Sequence, residues 1–197
     1  MKAAVGEIVT FGTYPQIRYS GEAQPIAWRV MDVQDGKALL LSDKVLDMVR
    51  FNEKYQDVTW ETSLLRAWLN GRFYETAFSG GEKAAIVSVA LHTPDNAKHG
   101  TKGGADTEDK VFALSIEELE RYFPAAADRR AAPTGHAAED GVYTYGETGY
   151  AIWWLRSPGY VQYAASRVGV GGTVADTIYD DVRAHRGVRP ALWVSLD

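Results

Sequence analysis

The feature that most limits how this chain can fold is a change of composition in its last quarter. From Tyr160 to Arg186 there is no Leu, Phe, Met or Trp, and the run is rich in Gly, Ala, Val, Thr, Tyr, Asp and Arg. Two dense apolar blocks bracket it, Trp153-Trp154-Leu155-Arg156-Ser157-Pro158-Gly159 before and Gly187-Val188-Arg189-Pro190-Ala191-Leu192-Trp193 after. A segment this poor in large apolar side chains cannot bury enough surface to form a core of its own. It must lie on a core that the flanking blocks help to build. The expectation is a displayed surface, residues 160–186, held between two anchors.

Within that segment the even positions include Val168, Val170, Val174, Ile178 and Val182. The odd positions include Arg167, Thr173, Thr177, Tyr179, Asp181, Arg183 and His185. Period two of this kind predicts half-buried strands or ribbon-like loops, one face on the core and one in solvent. Gly171-Gly172 reads as a hairpin turn, and a second turn is expected between Asp176 and Asp181. The final strand, Val188 to Leu196, is expected to be buried, with Arg189 paired or capped.

The earlier chain supplies the scaffold. Ile8 to Gly12, Pro25 to Val33 and Ala38 to Ser42 read as strands, the last two joined by an Asp35-Gly36 turn. Leu64, Leu65, Trp68, Leu69 and Phe73 recur at helical spacing and form one apolar stripe. Ser79-Gly80-Gly81-Glu82 and Ser115-Ile116-Glu117-Glu118 have the form of capping boxes, so a helix should start at each. Val111 to Leu114 suits a short buried strand. Thr93 to Lys110 and Ala125 to Gly141 read as long loops, the second one mobile. No compositional break or repeat divides the chain, so residues 1–197 are expected to form one α+β domain.

Composition narrows the function classes. A formal charge of −5 argues against nucleic acid, which asks for a basic stripe. The absence of cysteine removes disulfides, thiolate metal sites and cysteine nucleophiles. There is no apolar run long enough for a membrane span and no signal peptide at the N-terminus. The expected location is the cytoplasm as encoded, or a virion or cell surface within a larger assembly.

Catalytic patterns are sparse. Asp180, Asp181 and His185 bring two carboxylates and an imidazole close in sequence, the ground for a metal-assisted or cofactor-free enzyme as one alternative. Adjacent residues of a strand point to opposite faces, so Asp180 and Asp181 chelate together only if a turn redirects them. Gly169-Val170-Gly171-Gly172 opens no helix and lacks the dipole of a phosphate cradle. His92, His99, His136 and His185 fall in segments read as loops or tail, without triad or HExxH spacing, and Ser157 lacks a nucleophile elbow. Thr93-Pro94-Asp95-Asn96 superficially matches a calcium loop of sugar-binding lectins, but the Trp-Asn-Asp partner segment is missing. No cofactor is expected. A face carrying Tyr160, Tyr163, Arg167, Thr177, Tyr179, Asp181, Arg183 and His185 instead has the composition of a binding surface, where Tyr and Arg give large contacts at modest entropic cost.

The motif set Phe11-Gly12-Thr13-Tyr14-Pro15-Gln16, Pro25 to Val30, Thr59 to Thr62, Leu65 to Asn70 and the two aromatic blocks resembles a bacterial and phage domain family of unassigned function. The order of elements is also similar to the C-type-lectin-like fold, whose last strand pairs near the N-terminus. One branch of that fold holds formylglycine-generating enzymes that depend on active-site cysteines, which this chain lacks. Another holds variable ligand-binding proteins diversified by retroelements, whose changeable residues lie just before a fixed Gly-Val/Phe-Arg-Pro end. That resemblance implies a scaffold of residues 1–159 and 187–197 and a diversifiable segment 160–186. It implies ligand contacts from Tyr160, Val161, Tyr163, Arg167, Gly169, Ala175, Thr177, Tyr179, Asp180, Asp181, Arg183 and His185. Most are types reachable when the adenines of an Asn codon are randomised. The implied partner is a protein or other macromolecular or cell-surface ligand, and a structural role in a phage or surface assembly is a further alternative.

Overall fold

The computed structural model describes residues 2–146, 149–177 and 180–196. Ile178 and Tyr179, read above as one core-facing and one outward residue, lie outside the described residues.

β1 (Ile8–Pro15), β2 (Ala23–Gln34) and β3 (Lys37–Ser42) form an antiparallel meander. Asp35 and Gly36 turn β2 into β3 with φ of 49° and 70°, the doubly positive geometry that matches strand twist in a two-residue hairpin. Ile26, Trp28 and Val30 all point into the core, as their alternation predicts. β4 (Asp47–Arg50) leads to a helical stretch in which α1 (Leu64–Trp68) passes through a π-helical turn, Leu69–Phe73, into α2 (Tyr74–Ala77). Leu65, Leu69 and Phe73 are fully buried, whereas Leu64, at the first helical position, is exposed.

α3 (Gly80–Ala85) opens on Ser79 and Glu82, which cap each other as the sequence requires. β5 (Ile86–Val87), β6 (Val89–Leu91) and β7 (Thr107–Asp109) follow, and β6 pairs with β7. α4 (Ile116–Tyr122) opens on the second capping box, Ser115 and Glu118. Val111 to Leu114 is buried as expected but makes only a bridge, Phe112 to Ala191.

The segment from Ala125 to Gly141 corrects the expectation of a mobile loop. It contains a 3-10 turn, Ala126–Arg129, and α5 (Gly135–Glu139), and it buries Ala131, Thr134 and Ala137. Its backbone is bonded to Val45, which donates to Ala132 O at 3.0 Å and accepts from Thr134 N at 2.9 Å. Small residues let this chain lie close against a neighbour, and that partner is remote in sequence.

β8 (Trp153–Pro158), β9 (Ala165–Val168), β10 (Val174–Ala175), β11 (His185–Val188) and β12 (Ala191–Ser195) complete the chain. Two five-stranded sheets result, ordered β1-β2-β3-β12-β5 and β10-β9-β8-β11-β4. The second is mixed, because β11 runs parallel to β8. The last strand therefore does return to the N-terminal sheet, with Ala191 opposite Leu41 and Ser195 opposite Lys37. Its neighbour there is β3, while β1 is the far edge strand. Arg189-Pro190 is the step at which the chain leaves one sheet for the other.

Trp28, Trp60, Trp153 and Trp154 are among the largest fully buried side chains. Each ring removes on the order of 200 Å² from water, a gross gain of about 5 kcal/mol. No indole N–H is wasted: they donate to Phe11 O at 2.6 Å, Asp109 Oδ2 at 2.8 Å, Arg129 O at 3.2 Å and Val49 O at 2.9 Å. Among the described residues no helix is long and apolar enough to cross a membrane.

Candidate ligand-binding face

Both anchor blocks turn their arginines inward. Arg156 donates to Ala113 O at 3.0 Å and His92 O at 3.1 Å and forms a two-pronged ion pair with Glu118. Arg189 donates Nε to Ser42 O at 2.7 Å. Its guanidinium lies over the rings of both Trp153 and Phe123, at 5.1 and 5.6 Å from their centres. Gly187 is required by packing, since a Cβ there would stand 2.5 Å from Val45 Cγ1 and 2.6 Å from Ile152 O. These buried groups hold the ends of residues 160–186 in a fixed frame.

Inside the frame, β9 and β10 form the expected hairpin, with Val174 opposite Val168 across the Gly171-Gly172 turn. Gly172 has a φ of +86° and packs so closely on Ala126 O that a Cβ would lie 1.7 Å from it. The turn is therefore docked on the 125–141 segment. Val168 and Val182 are fully buried, but Val170, in the turn, and Val174, on the two-residue edge strand β10, are only half-buried.

The charged residues divide into two groups. Asp180 and Arg167, expected in the ligand face, form an interior strut instead. Asp180 is 0% exposed and is paired with Arg167 and with Arg186, whose Nη2 lies 3.1 Å from Oδ1. Thr177 Oγ1 adds a hydrogen bond to Oδ2 at 2.8 Å. A buried carboxylate needs such compensation, and Asp180 has the even parity of the core-facing Val168 and Val182. Gly169 is also buried, its N–H donating to Thr173 O at 2.9 Å. These positions correct the expectation that every candidate faces outward.

The outward group is smaller. Tyr160 is 48% exposed and meets the His99 ring edge-on at 4.7 Å. Tyr163 is half-buried and lies 4.6 Å from the ring of Tyr55, over which the Arg183 guanidinium sits at 4.6 Å. Tyr163 also holds the Tyr55 hydroxyl above its ordinary pKa. Arg183 is exposed, and Asp181 Oδ1 accepts from its backbone N–H at 2.8 Å and from its Nε at 3.2 Å. His185 is exposed and its Nε2 accepts from Arg50 Nε at 3.1 Å. Partial burial, then the charges of Arg50 and Arg186, hold its pKa below the ordinary value. Val161 and Ala175 are half-buried and Thr177 is exposed. Tyr179, the remaining candidate, lies outside the described residues.

Two contributors from other parts of the chain were not foreseen. Tyr55 belongs to the same aromatic cluster, and an exposed Tyr beside a polar run was the signal for it. The loop from Thr93 onward is stitched to the anchor and to the displayed segment. Asn96 donates to Pro158 O at 2.9 Å, Thr101 to Gly159 O at 2.7 Å, and Gln162 bonds both backbone groups of Lys102. Its Lys98 and His99 pair with Asp176 at 3.3 and 2.7 Å. Burial raises the Asp176 pKa, but these two partners outweigh it and hold the carboxyl below its ordinary value. Between this loop and α4 runs a groove of about 450 Å³, rimmed by Asp95, Lys98, Glu117, Glu120 and Asp176.

Asp180, Asp181 and His185 do not converge, since Asp180 is committed to two arginines and His185 to Arg50. Among the described residues, the one group of three His or acidic side chains with donor atoms within 4.8 Å of one another is Asp47, His136 and Asp140. Tyr14 donates its hydroxyl to Asp47 Oδ2 at 2.5 Å. Burial, then the Asp47 charge, pushes the Tyr14 phenol well above its ordinary pKa. Burial likewise raises Asp47, against the hydrogen bond from Tyr14. All four histidines therefore find partners across the fold, although none has a motif spacing.

The fold and face together define a mixed α+β domain with a loop-built surface held by its C-terminal strands. Residues 35–196 match a family described as "Domain of unknown function (DUF6273)", and the chain belongs to that family. The match begins at the turn between β2 and β3, so the two outer strands of the meander precede it. Comparison with curated proteins and with solved structures gave no match.

Proposed function

We propose that this chain is a non-enzymatic ligand-binding module of C-type-lectin-like type, whose segment 160–186 presents a face that tolerates change. One observation carries this reading: Arg156, Arg189, Trp153 and Trp154 of the anchors are buried, while Tyr160, Arg183 and His185 are exposed and Tyr163 and Asp181 half-buried, with Tyr55 against Tyr163 and Arg183. Aromatic and guanidinium groups on loops over a rigid frame are the chemistry of a protein-binding surface. The fold reading draws support from β12 pairing with the N-terminal meander and from the long loop of Asn96 packed on the end of β8. The likeness to retroelement-diversified proteins supports a division within the segment. Tyr160, Val161, Tyr163, Ala175, Tyr179, Asp181, Arg183 and His185 are the changeable set, and Arg167, Gly169, Thr177 and Asp180 are held constant by the interior.

A display library tests this directly. Randomising Tyr160, Tyr163, Asp181, Arg183 and His185 should leave most clones folded, and selection against an unrelated protein such as lysozyme should yield binders. A library in which most clones are unfolded would overturn the proposal.

A further inference from the structure

We propose that Asp47, His136 and Asp140 form a binding site for a divalent transition cation of the zinc type. Asp47 opens β4, while His136 and Asp140 lie one turn apart on α5 and at its C-terminal end. His136 Nε2 stands 4.0 Å from Asp47 Oδ2 and 3.6 Å from Asp140 Oδ2. A cation about 2.0–2.1 Å from three such donors needs them roughly 3.3–3.4 Å apart in tetrahedral geometry. A contraction of well under 1 Å would bring each of these two pairs to that spacing.

The frame for such a site is already in place. The two segments that carry the donors are hydrogen-bonded to each other through Val45, Ala132 and Thr134, immediately before Asp47 and His136. The Thr134 side chain caps α5 by accepting from Ala137 N at 3.1 Å. Tyr14 closes the inner side, with its hydroxyl on Asp47 Oδ2 and its ring edge-on to His136 at 5.9 Å. A phenol on a carboxylate ligand is the kind of outer partner that fixes ligand orientation. Asp140 is 42% exposed, which leaves an entry path from solvent.

Charge compensation points the same way. The other deeply held acids are answered by arginine: Asp109 by Arg66, and Asp180 by Arg167 and Arg186. Asp47, whose side chain is 13% exposed, has His136 as the one basic group within 4.0 Å among the described residues, and Asp140 adds a second negative charge beside it. Two carboxylates and a neutral imidazole match a dication, and the nitrogen donor favours zinc-like ions over magnesium or calcium. The site is independent of the display face, because Asp47 and His185 sit at opposite ends of the paired strands β4 and β11.

The test is calorimetric titration of the full chain, dialysed against EDTA and then freed of it, with zinc chloride. About one equivalent should bind, with affinity at least ~10-fold weaker in Asp140→Asn and in His136→Gln, and weakened about 10-fold in Tyr14→Phe. Magnesium chloride should give no saturable heat. Circular dichroism of the Asp140→Asn and His136→Gln proteins, both altered at partly exposed positions, checks that they fold. Absence of zinc binding by the parent chain, or binding unchanged in folded Asp140→Asn and His136→Gln proteins, would overturn the proposal.

Discussion

The guanidinium of Arg189 lies 5.1 Å from the centre of the Trp153 ring, so the second anchor block is fastened directly onto the first. The centre of the Phe123 ring lies 5.6 Å from the same guanidinium, and Nε donates to Ser42 O at 2.7 Å. Burial lowers the Arg189 pKa to about 10, which still leaves it charged at neutral pH. The site thus holds a planar cation that touches both sheets at the step between β11 and β12.

Arg189→Lys should therefore be far from conservative. An ammonium cannot stack flat over two rings, and it cannot replace the directed Nε bond. The expected loss is about 2 kcal/mol or more in urea-induced unfolding, with an unchanged slope. A loss below about 0.5 kcal/mol would show that the stack is not structural.

Asp180→Ala should destabilise the chain by about 3–5 kcal/mol, because it leaves Arg167 and Arg186 without their shared carboxylate in a largely dry site. Denaturant unfolding measures this. A change within about 0.5 kcal/mol would place Asp180 outside the frame.

Asp176 gives a pH dependence of defined sign. Its folded pKa lies below the ordinary 3.8, because Lys98 and His99 outweigh the effect of burial. A depressed carboxylate contributes stability above its unfolded pKa and loses it as pH falls through the folded value. The melting temperature of the parent chain should thus fall more steeply than that of Asp176→Asn between about pH 4 and pH 2. Parallel curves would contradict the pairing.

His185 should titrate below 6.5 in an NMR experiment, because partial burial and the charges of Arg50 and Arg186 disfavour its cation. Protonation also removes the acceptor that Arg50 uses. A base whose folded pKa is depressed loses stability as pH falls through the unfolded value. Arg50→Ala should move the midpoint upward, and a parent midpoint at or above 6.5 would refute the account.

What was legible in the sequence is what local chemistry encodes. Asp35-Gly36, the Ser79–Glu82 and Ser115–Glu118 boxes and the Leu65, Leu69, Phe73 stripe all formed as their spacing demands. So did the contrast between anchors and insert. Arg167 has the outward parity of an odd position and Asp180 enters the ligand set only through the resemblance, and neither signal carries the pairing of Asp180 with Arg167 and Arg186. The 125–141 segment was read as mobile because its Ala and Pro residues carry no periodic pattern, while its order comes from Val45. His136 had one usable signal, Asp140 four residues later, but Asp47 is remote in sequence and close only in the fold.

The central claim is that residues 160–186 combine a fixed interior with a dispensable exterior. Thermal unfolding of a combined Tyr160→Ala, Arg183→Ala, His185→Ala protein beside Asp180→Ala tests it most directly. The triple variant should melt within about 4 °C of the parent, since exposed substitutions cost little, while Asp180→Ala should melt about 6–20 °C lower. A triple variant that melts as low as Asp180→Ala would contradict the claim, because the outward side chains would then be holding the fold.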